Sequence, residues 1–514
     1  MLPFGFPRAI GIARRAILVA ATVVAVASCH RRPVPEASAE VAAVLGGSSV
    51  APAGPHSSAV WKDVQAFYQK REGDPAWISK LKMSKNAAAG LELIRDAPAH
   101  GLAAGNYDEQ KIAQLFDAIE KSKDKAPDRL QLLADADVRL TAALLALGRD
   151  VAIGRTSPEQ VAPTWKSQRK APDLAGTLNP DGDLKGWLDS VAPPHAEYKD
   201  LQKALADLRA TQVSKPGVPA STFYDTRTPA GIKAFQEHHG LKVTGTMDAP
   251  TKALLNIPIE QRISQVELNL ERWRWMPDDF GKRHFIVNIP LYHVYAVEDG
   301  KVVKDIRVVV GKPGHETPIF SDEMTTVVFS PYWNIPDSIA EGETAPAMAK
   351  NPGYLASHHI DVLRRGSNGE STVDPASINW DDPSALKDLA FRQRPGADNA
   401  LGHVKFLFPN QYNVYLHDTP ADELFARPGR AFSHGCIRVE EPETLAMYVL
   451  RDYPEWTKEK ILEAMNAGVE KQVALKEKIP VHIVYFTTWV DEQDGLHFQP
   501  DIYGYDAKQM AAKR

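Results

Sequence analysis

The apolar residues of this chain change their spacing at about residue 280, and this change limits the folds that the chain can adopt. In WKDVQAFYQKR, Val64, Phe67 and Tyr68 recur at helical spacing, and ADADVRLTAALLALGRDVAIGR continues that pattern over a longer segment. From about 280 to 490, strand-like runs such as TTVVFSPYWNIP predominate. The 514 residues are enough for several domains. We therefore predict a multidomain α+β protein, with a mainly helical scaffold domain at 59–210 and a mostly β domain at 280–490.

A small helical unit is predicted at 214–257. Thr228 is placed to cap a helix that begins at Pro229, and Gly240 can end that helix in the left-handed conformation. Gly245 allows a tight turn, and Asp248 can begin a second helix. The stretches IKAFQ, HGL, TG and TKALLN resemble the peptidoglycan-binding-like domain, which implies binding to the cell wall. The alternative is a unit that serves only for packing.

Three further segments complete the predicted organisation. ERWRWMP indicates a helix that returns to the scaffold, which we place at 258–279. Asp299-Gly300 is a strong turn signal for a β-hairpin. The segment 337–395 lies between strands of the β domain, and 491–514 is a C-terminal extension.

The N-terminus has the pattern of an export signal. Three arginines precede an uncharged apolar run at 16–27, which is shorter than the roughly 20 residues of a membrane-spanning helix. The run ends in VASC, which resembles the lipobox of bacterial lipoproteins and implies a lipid on Cys29; cleavage without lipidation is the alternative. We expect a signal peptide at 1–28 and a flexible linker, rich in Pro, Ala and Gly, at 29–58. Because His30 rather than Asp follows the cysteine, we expect a periplasmic protein that is lipid-anchored to the outer membrane.

The net charge and the cysteine content restrict the possible partners and the possible roles of the thiol. The formal charge is −5, and it falls by three to −8 without residues 1–28, which hold three Arg and no acidic residue. This mild acidity argues against nucleic acid as the main partner. The chain has two cysteines, and if Cys29 carries lipid, Cys436 has no partner for a disulfide. Its thiol is then either a small buried hydrophobe or a reactive group.

Cys436 belongs to the motif SHGCIR at 433–438, and His417 precedes that motif by a gap of fifteen residues. A histidine, a gap of this length and Ser/Thr-His-Gly-Cys-apolar-Arg form the signature of the L,D-transpeptidase catalytic domain, or YkuD domain, which this segment resembles. FYQKR, YWNIP, NPGYL, YLHDTP and DIYGYD extend the likeness to the large periplasmic members over most of 59–505. Those members have a helical scaffold, a peptidoglycan-binding-like domain and a catalytic domain with a long lid. The resemblance implies that 337–395 is the lid.

The resemblance also implies a nucleophile and a base. A thiol with an ordinary pKa of about 8.5 is mostly un-ionised at neutral pH, so a nearby imidazole is needed to take the proton of Cys436 and pair with the thiolate. In the family this base corresponds to His417, and the backbone carbonyl of Asp418 orients its ring. His434 is a rival base, because residues two apart in a strand lie on the same face.

Other residues are expected around the nucleophile. Gly435 would let backbone amides near the cysteine point at a developing oxyanion. Arg438 would favour the thiolate or bind a substrate carboxylate, unless it forms a structural salt bridge. By resemblance, Ser433, Trp333 and Tyr415 line the substrate groove, and simple packing is the alternative for the two aromatic side chains.

We expect neither a cofactor nor a metal. His417, His434 and Cys436 could supply three zinc ligands, but the family is metal-free and no fourth ligand suggests itself. His238 and His239 also lack a further ligand at a suitable spacing, so we expect surface or packing histidines.

The implied reaction is L,D-transpeptidation of peptidoglycan, with donor and acceptor stem peptides as partners. The thiol attacks the third residue of a tetrapeptide stem, D-Ala leaves, and the side-chain amine of a second stem resolves the acyl-enzyme to give a 3→3 cross-link. Carbapenems would acylate the same thiol. Resolution by water or by a protein lysine would instead make the protein an L,D-carboxypeptidase or a protein-anchoring enzyme. An alternative of another class is a non-catalytic wall-binding lipoprotein.

Overall fold

The computed structural model describes residues 35–47, 50–123, 128–214, 228–239, 241–366, 369–380, 382–491 and 495–513. The predicted signal peptide, Cys29 and Gly240 lie outside the described residues. The chain forms two units, one of Phe280–Tyr485 and one of the residues before 280 together with Phe486–Arg514. Within the described part, none of the helices combines the length and apolar composition needed to cross a bilayer.

The first unit is mainly helical, as predicted. Its longest helix, Arg129–Ile153, is buried over most of its surface because Ala, Leu and Val predominate along it. Val64, Phe67 and Tyr68, predicted to share a helix face, are buried in the same core. The other helices of this unit are Pro35–Gly46, Ser57–Lys70, Lys85–Arg95, Glu109–Lys121, Leu174–Thr177, Leu184–Val191, Ala196–Ser214, Pro229–His238, Ala249–Leu255, Ile259–Trp273 and Tyr505–Ala512.

The prediction of a flexible linker is wrong for residues 35–46. These residues form the helix Pro35–Gly46, in which Ala37 and Val41 are fully buried one turn apart. This apolar face packs on Arg129–Ile153. The alanines that give the stretch the composition of a tether are also the best helix formers. Burial of the face then offsets the entropy lost on ordering.

The small helical unit has the predicted caps. In each of its helices the capping side chain accepts a hydrogen bond from the backbone N–H three residues later, Thr228 at 3.1 Å and Asp248 at 2.9 Å. Gly245 adopts a positive φ of 73°, as the tight turn requires. His239 is a packing histidine, since its ring is buried and stacked on Phe235 with centroids 4.0 Å apart.

The segment after residue 485 belongs to the helical unit. It contains the strands Thr488–Val490 and Leu496–Phe498 and the helix Tyr505–Ala512. Its Asp506 pairs with the buried Arg272 at 2.6 Å. The exact domain limits given above stay predictions.

The second unit is built on a nine-stranded sheet. His293–Glu298, at one end of the strand order, also pairs with Lys301–Gly311, so the sheet closes on itself. The predicted hairpin joins these two strands through Asp299 and Gly300, which have φ values of 47° and 75°. The strand order is Ala431–Ser433, Lys301–Gly311, Ile437–Val439, Leu416–His417, Val404–Leu407, Ser321–Phe329, Lys471–Val484, Arg283–Asn288 and His293–Glu298.

Residues 333–393 fold as an insertion between two strands of that sheet, and we refer to them as the lid. The lid has its own four-stranded antiparallel sheet and its own apolar core, in which Ile335, Val362 and Phe391 are buried. It starts at Trp333, four residues before the predicted bound of 337. Its strands, in sheet order, are Trp333–Ile335, Leu389–Gln393, Ile360–Gly366 and Gly369–Thr372, and its helical segments are Asp337–Ile339, Ala340–Thr344, Ala345–Lys350 and Tyr354–Ser357.

Candidate active site

Two short parallel strands bring the predicted site residues together. Leu416–His417 pairs with Ile437–Val439, so that His417 lies beside Arg438, and the N–H of Ile437 donates to the carbonyl of Tyr415 at 3.1 Å. Tyr415 and Cys436 each directly precede one of these two strands. These four side chains line one cavity of about 800 Å³.

The lid supplies the facing wall of the cavity, through residues 333–339 and Glu343. Trp333, Ser433 and His434 also line it, so the cavity joins the predicted groove residues to the nucleophile. Cys436 is a free thiol and is partly exposed to the cavity. It is therefore not a sealed core residue.

The ring of His417 is buried and held in one tautomer. Its Nδ1 lies 2.5 Å from the carbonyl oxygen of Asp418. A carbonyl oxygen only accepts hydrogen bonds, so Nδ1 carries the proton and Nε2 keeps a lone pair. Burial, with a smaller contribution from the charge of Arg438, lowers the pKa of His417 to about 3. The ring is thus a neutral proton acceptor at pH 7.

Asp418 is fixed on several sides, which holds its carbonyl on the ring of His417. Its N–H donates to the carbonyl of Val404 at 2.9 Å. Its carboxylate accepts from the backbone N–H groups of His403 and Thr419, each at 2.7 Å. The side chain therefore anchors the residue, while the backbone oxygen orients the imidazole.

The resting thiol is not ionised. Burial raises the pKa of Cys436 to about 11, against the opposing effects of Tyr415 and Arg438. These shifts favour a neutral thiol and a neutral ring at pH 7, and the expected thiolate–imidazolium pair stays a prediction. Proton transfer has to accompany attack on a substrate.

The loop around Gly435 has a conformation that favours glycine, with φ at +113°. Its N–H donates to Ser433 Oγ at 3.1 Å, and Ser433 Oγ donates to the carbonyl of Cys436 at 2.6 Å. Ser433 thus lines the cavity while its hydroxyl closes the loop. In the described part of the chain, the N–H of Cys436 has no recorded acceptor, so it is the candidate donor to an oxyanion.

His434 does not share a strand with Cys436. The strand Ala431–Ser433 ends before it and Ile437–Val439 begins after the cysteine, because Gly435 turns the chain between them. The argument from strand spacing for a rival base is therefore wrong. His434 Nε2 instead lies 3.0 Å from Glu343 Oε1 of the lid.

Arg438 points a guanidinium into the cavity without a carboxylate partner among the described residues. Its Nε is buried and has no hydrogen-bond partner. Burial lowers the pKa of Arg438, which nevertheless stays charged at neutral pH. The structural salt bridge considered as an alternative is not present in the described chain.

Two residues that shape the site had no role in the sequence-based prediction. Buried Thr317 accepts from the N–H of Gly311 and donates to the carbonyl of Gly435, both at 2.8 Å. Lys405 lies opposite His417 on the neighbouring strand and lines the cavity. VVVG and Thr317-Pro318 match the early strands of the family, and this was the signal available for Thr317.

No group of three or more His, Cys, Asp and Glu side chains able to hold a metal occurs among the described residues.

Three family models match the chain. The model described as "L,D-transpeptidase catalytic domain" matches residues 282–470, "Scaffold domain" matches 62–205, and "Putative peptidoglycan binding domain" matches 194–255. The site described above lies within the first of these ranges.

A Haemophilus influenzae protein described as "Putative L,D-transpeptidase" is 35% identical over 248 residues, which are 48% of this chain and 49% of that protein. The match thus spans about half the length of this curated relative. Among solved structures, an L,D-transpeptidase from Mycobacterium smegmatis matches at 14% identity and a TM-score of 0.19, over 40% of this chain and 58% of that one. LD transpeptidase LdtMt1 in complex with imipenem matches at 15% identity and a TM-score of 0.20, over 40% and 59%. TM-scores this low support no conclusion. The chain is therefore similar to L,D-transpeptidases, with a segment matching the YkuD catalytic domain accompanied by segments matching a scaffold domain and a peptidoglycan-binding domain.

Proposed function

We propose that this protein is an L,D-transpeptidase that forms 3→3 cross-links in peptidoglycan through an acyl-enzyme on Cys436. The proposal depends on three groups that line one cavity. They are the thiol of Cys436, the imidazole of His417, whose tautomer is fixed, and the guanidinium of Arg438, which has no carboxylate partner among the described residues. Such a cavity can supply a nucleophile, a proton acceptor and a binding group for a carboxylate.

In the first step, the sulfur of Cys436 attacks the carbonyl carbon of the third stem residue while Nε2 of His417 takes the thiol proton. The N–H of Cys436 donates to the developing oxyanion; loss of one such donor typically costs about 2.7–4 kcal/mol in barrier. The C–N bond to D-Ala then breaks, and the imidazolium returns the proton to the leaving amine. A thioester and a neutral His417 remain.

Arg438 has a binding role in this step. The donor ends in the carboxylate of D-Ala, and a guanidinium binds a carboxylate through two parallel hydrogen bonds. Its positive charge also favours the thiolate that develops as the proton leaves. Both roles are supported by the absence of an ion pair between Arg438 and a carboxylate among the residues that the structure describes.

The lid would determine the fate of the thioester. Water at the acyl-enzyme gives a tripeptide, whereas the side-chain amine of a second stem gives the cross-link. With Trp333 and the following residues on the facing wall, the lid can exclude water while an acceptor binds.

The test is incubation of the full chain with purified tetrapeptide muropeptides, followed by mass spectrometry of the products. We expect 3→3 dimers and free D-Ala, and neither with Cys436→Ala. Tripeptide as the only product would indicate an L,D-carboxypeptidase. Peptidoglycan fragments attached to protein lysines would indicate an anchoring enzyme. A Cys436→Ala variant that kept the full cellular effect would indicate a non-catalytic wall-binding protein.

We also propose inhibition by carbapenems, since a β-lactam offers the same thiol a reactive carbonyl. Intact-mass spectrometry should show one added carbapenem mass on the wild type and none on Cys436→Ala. An unmodified wild type at saturating imipenem would contradict this proposal.

For location we propose the periplasm, with a lipid on Cys29 anchoring the protein to the outer membrane and the small helical unit binding the wall. The support is the sequence pattern at the N-terminus and the matched peptidoglycan-binding domain. Intact mass of membrane-extracted protein should exceed that of a Cys29→Ala variant by the lipid. Equal masses would contradict the anchor.

A further inference from the structure

The lid places a carboxylate on the cavity wall beside the nucleophile loop. Glu343 lies in the π-helical segment Ala340–Thr344, and such segments frequently occur at functional sites. It lines the same cavity as Cys436. Asp337, also on this wall, is engaged by Arg365 at 2.8 Å, whereas Glu343 has no Lys or Arg ion pair among the described residues.

His434 orients this carboxylate without cancelling its charge. Its Nε2 is 3.0 Å from Glu343 Oε1, so the ring donates to the carboxylate through this nitrogen. Burial lowers the pKa of His434, and the charges of Lys312 and His315 add to this effect against that of Glu343. Lys312 Nζ is 3.4 Å from the same Nε2, which cannot accept a hydrogen bond while it donates to Glu343. A neutral His434 ring therefore adds no positive charge beside the Glu343 carboxylate.

Apart from the paired Asp337 and Arg365, the charged residues that line the cavity come from two parts of the chain. Lys405 and Arg438 flank His417 on the strand side, whereas Glu343 lies on the lid side, against the residue two positions before Cys436. The strand side suits the carboxylates of a donor peptide. Glu343 suits a cation that enters the cavity beside the loop that carries Cys436.

We propose that Glu343, oriented by His434, binds the side-chain ammonium of the acceptor stem and so directs the acyl-enzyme toward amide formation. This inference rests on the proposed transpeptidase function and identifies the acceptor as a primary ammonium. The carboxylate of Glu343 would raise the local concentration of this cation near the thioester, whereas uncharged water is not attracted in the same way.

The second half-reaction balances as follows. The bound ammonium releases one proton to solvent, and the resulting amine nitrogen attacks the thioester carbon. Nε2 of His417 takes the second proton from that nitrogen as the C–N bond forms. The C–S bond breaks, and the imidazolium returns this proton to the sulfur, which restores the neutral thiol and ring.

The test compares Glu343→Gln with wild type and with Glu341→Gln, an exposed residue of the same segment that does not line the cavity. Tetrapeptide muropeptides serve as donor and acceptor, and D-Ala release, 3→3 dimer and tripeptide are measured. We expect Glu343→Gln to release the first equivalent of D-Ala within about twofold of the wild-type rate, because acylation precedes attack by the acceptor. Because the Glu343 side chain is 56% exposed and solvent screens its charge, the variant's ratio of dimer to tripeptide should fall by about twofold to fivefold. Glu341→Gln should keep the wild-type ratio.

A second acceptor separates ammonium binding from general damage to the lid. Hydroxylamine is largely uncharged at neutral pH, so the yield of hydroxamate should be equal in wild type and Glu343→Gln. Glu343→Asp keeps the charge and should recover part of the dimer yield. An unchanged ratio in Glu343→Gln, or an equal loss with hydroxylamine, would overturn the inference. Absence of D-Ala release by the wild type would instead overturn the proposed function on which it rests.

Discussion

The hydroxyl of Thr317 donates a hydrogen bond to the carbonyl oxygen of Gly435 at 2.8 Å. Thr317 Oγ1 also accepts a hydrogen bond from the N–H of Gly311 at 2.8 Å, and the side chain of Thr317 is fully buried. One side chain, more than a hundred residues away in sequence, thus ties the loop that carries the nucleophile to the end of another strand.

Replacing this threonine should weaken both stability and acylation. Thr317→Val keeps the shape but removes both hydrogen bonds, each of which contributes about 0.5–1.5 kcal/mol to stability. We expect a lower midpoint of thermal unfolding and slower acylation by imipenem. Thr317→Ser keeps the hydroxyl and should acylate close to the wild-type rate. Wild-type acylation by Thr317→Val would show that the loop does not depend on these bonds.

Two glycines near the site should respond differently to alanine. Gly402 has φ at +58°, and a Cβ there would lie 2.3 Å from Cγ of Asp418, the residue whose carbonyl orients His417. We expect Gly402→Ala to lower stability by more than about 1 kcal/mol and to slow acylation. Gly396→Ala meets nothing within 4 Å and should be close to neutral. Denaturant unfolding and acylation rates distinguish the two variants; similar behaviour would contradict the prediction.

Removing the charge of Arg438 should move the pH dependence of acylation. The guanidinium lowers the pKa of both His417 and Cys436. Without it both pKa values rise, so the ring stays protonated to a higher pH and the acid limb of the rate profile shifts upward. Imipenem acylation of wild type and Arg438→Gln, measured by intact mass from pH 2 to 9, checks the shift. Lys301→Gln, an exposed cation elsewhere in the unit, should leave the profile unchanged, and an unshifted limb in Arg438→Gln would contradict the electrostatic argument.

The helix Pro35–Gly46 should contribute to the stability of the helical unit. Val41→Ala removes two buried methyl groups at about 0.8 kcal/mol each and leaves a small cavity, so we expect a loss of about 2 kcal/mol. Hydrogen exchange along Arg129–Ile153, followed by mass spectrometry, should quicken in that variant. Ala42→Ser changes an exposed position of the same helix and should have little effect. Equal exchange in both would mean that the helix does not pack on this core.

Much of the local structure was predictable from the sequence because it depends on neighbouring residues. The cap at Thr228, the positive-φ turn at Asp299-Gly300 and the buried helix face of Val64 and Phe67 each follow from a few consecutive side chains. The SHGCIR motif and the preceding His417 indicated the family for the same reason. The prediction of a flexible linker was wrong at 35–46, because composition does not show whether a distant helix offers a surface on which these residues can be buried.

The sequence alone therefore determined the division of the chain into helical and β regions, its turns and caps, and its resemblance to L,D-transpeptidases. The tertiary structure alone decided that His434 pairs with Glu343 of the lid, that Asp418 is anchored by the loop at His403, and that thiol and imidazole rest uncharged. The physical reason is the separation along the chain over which each kind of interaction acts. Dihedral preferences and periodicity act over a few residues, whereas burial, charge and hydrogen-bond partners at the site come from segments that meet only after the sheet has closed.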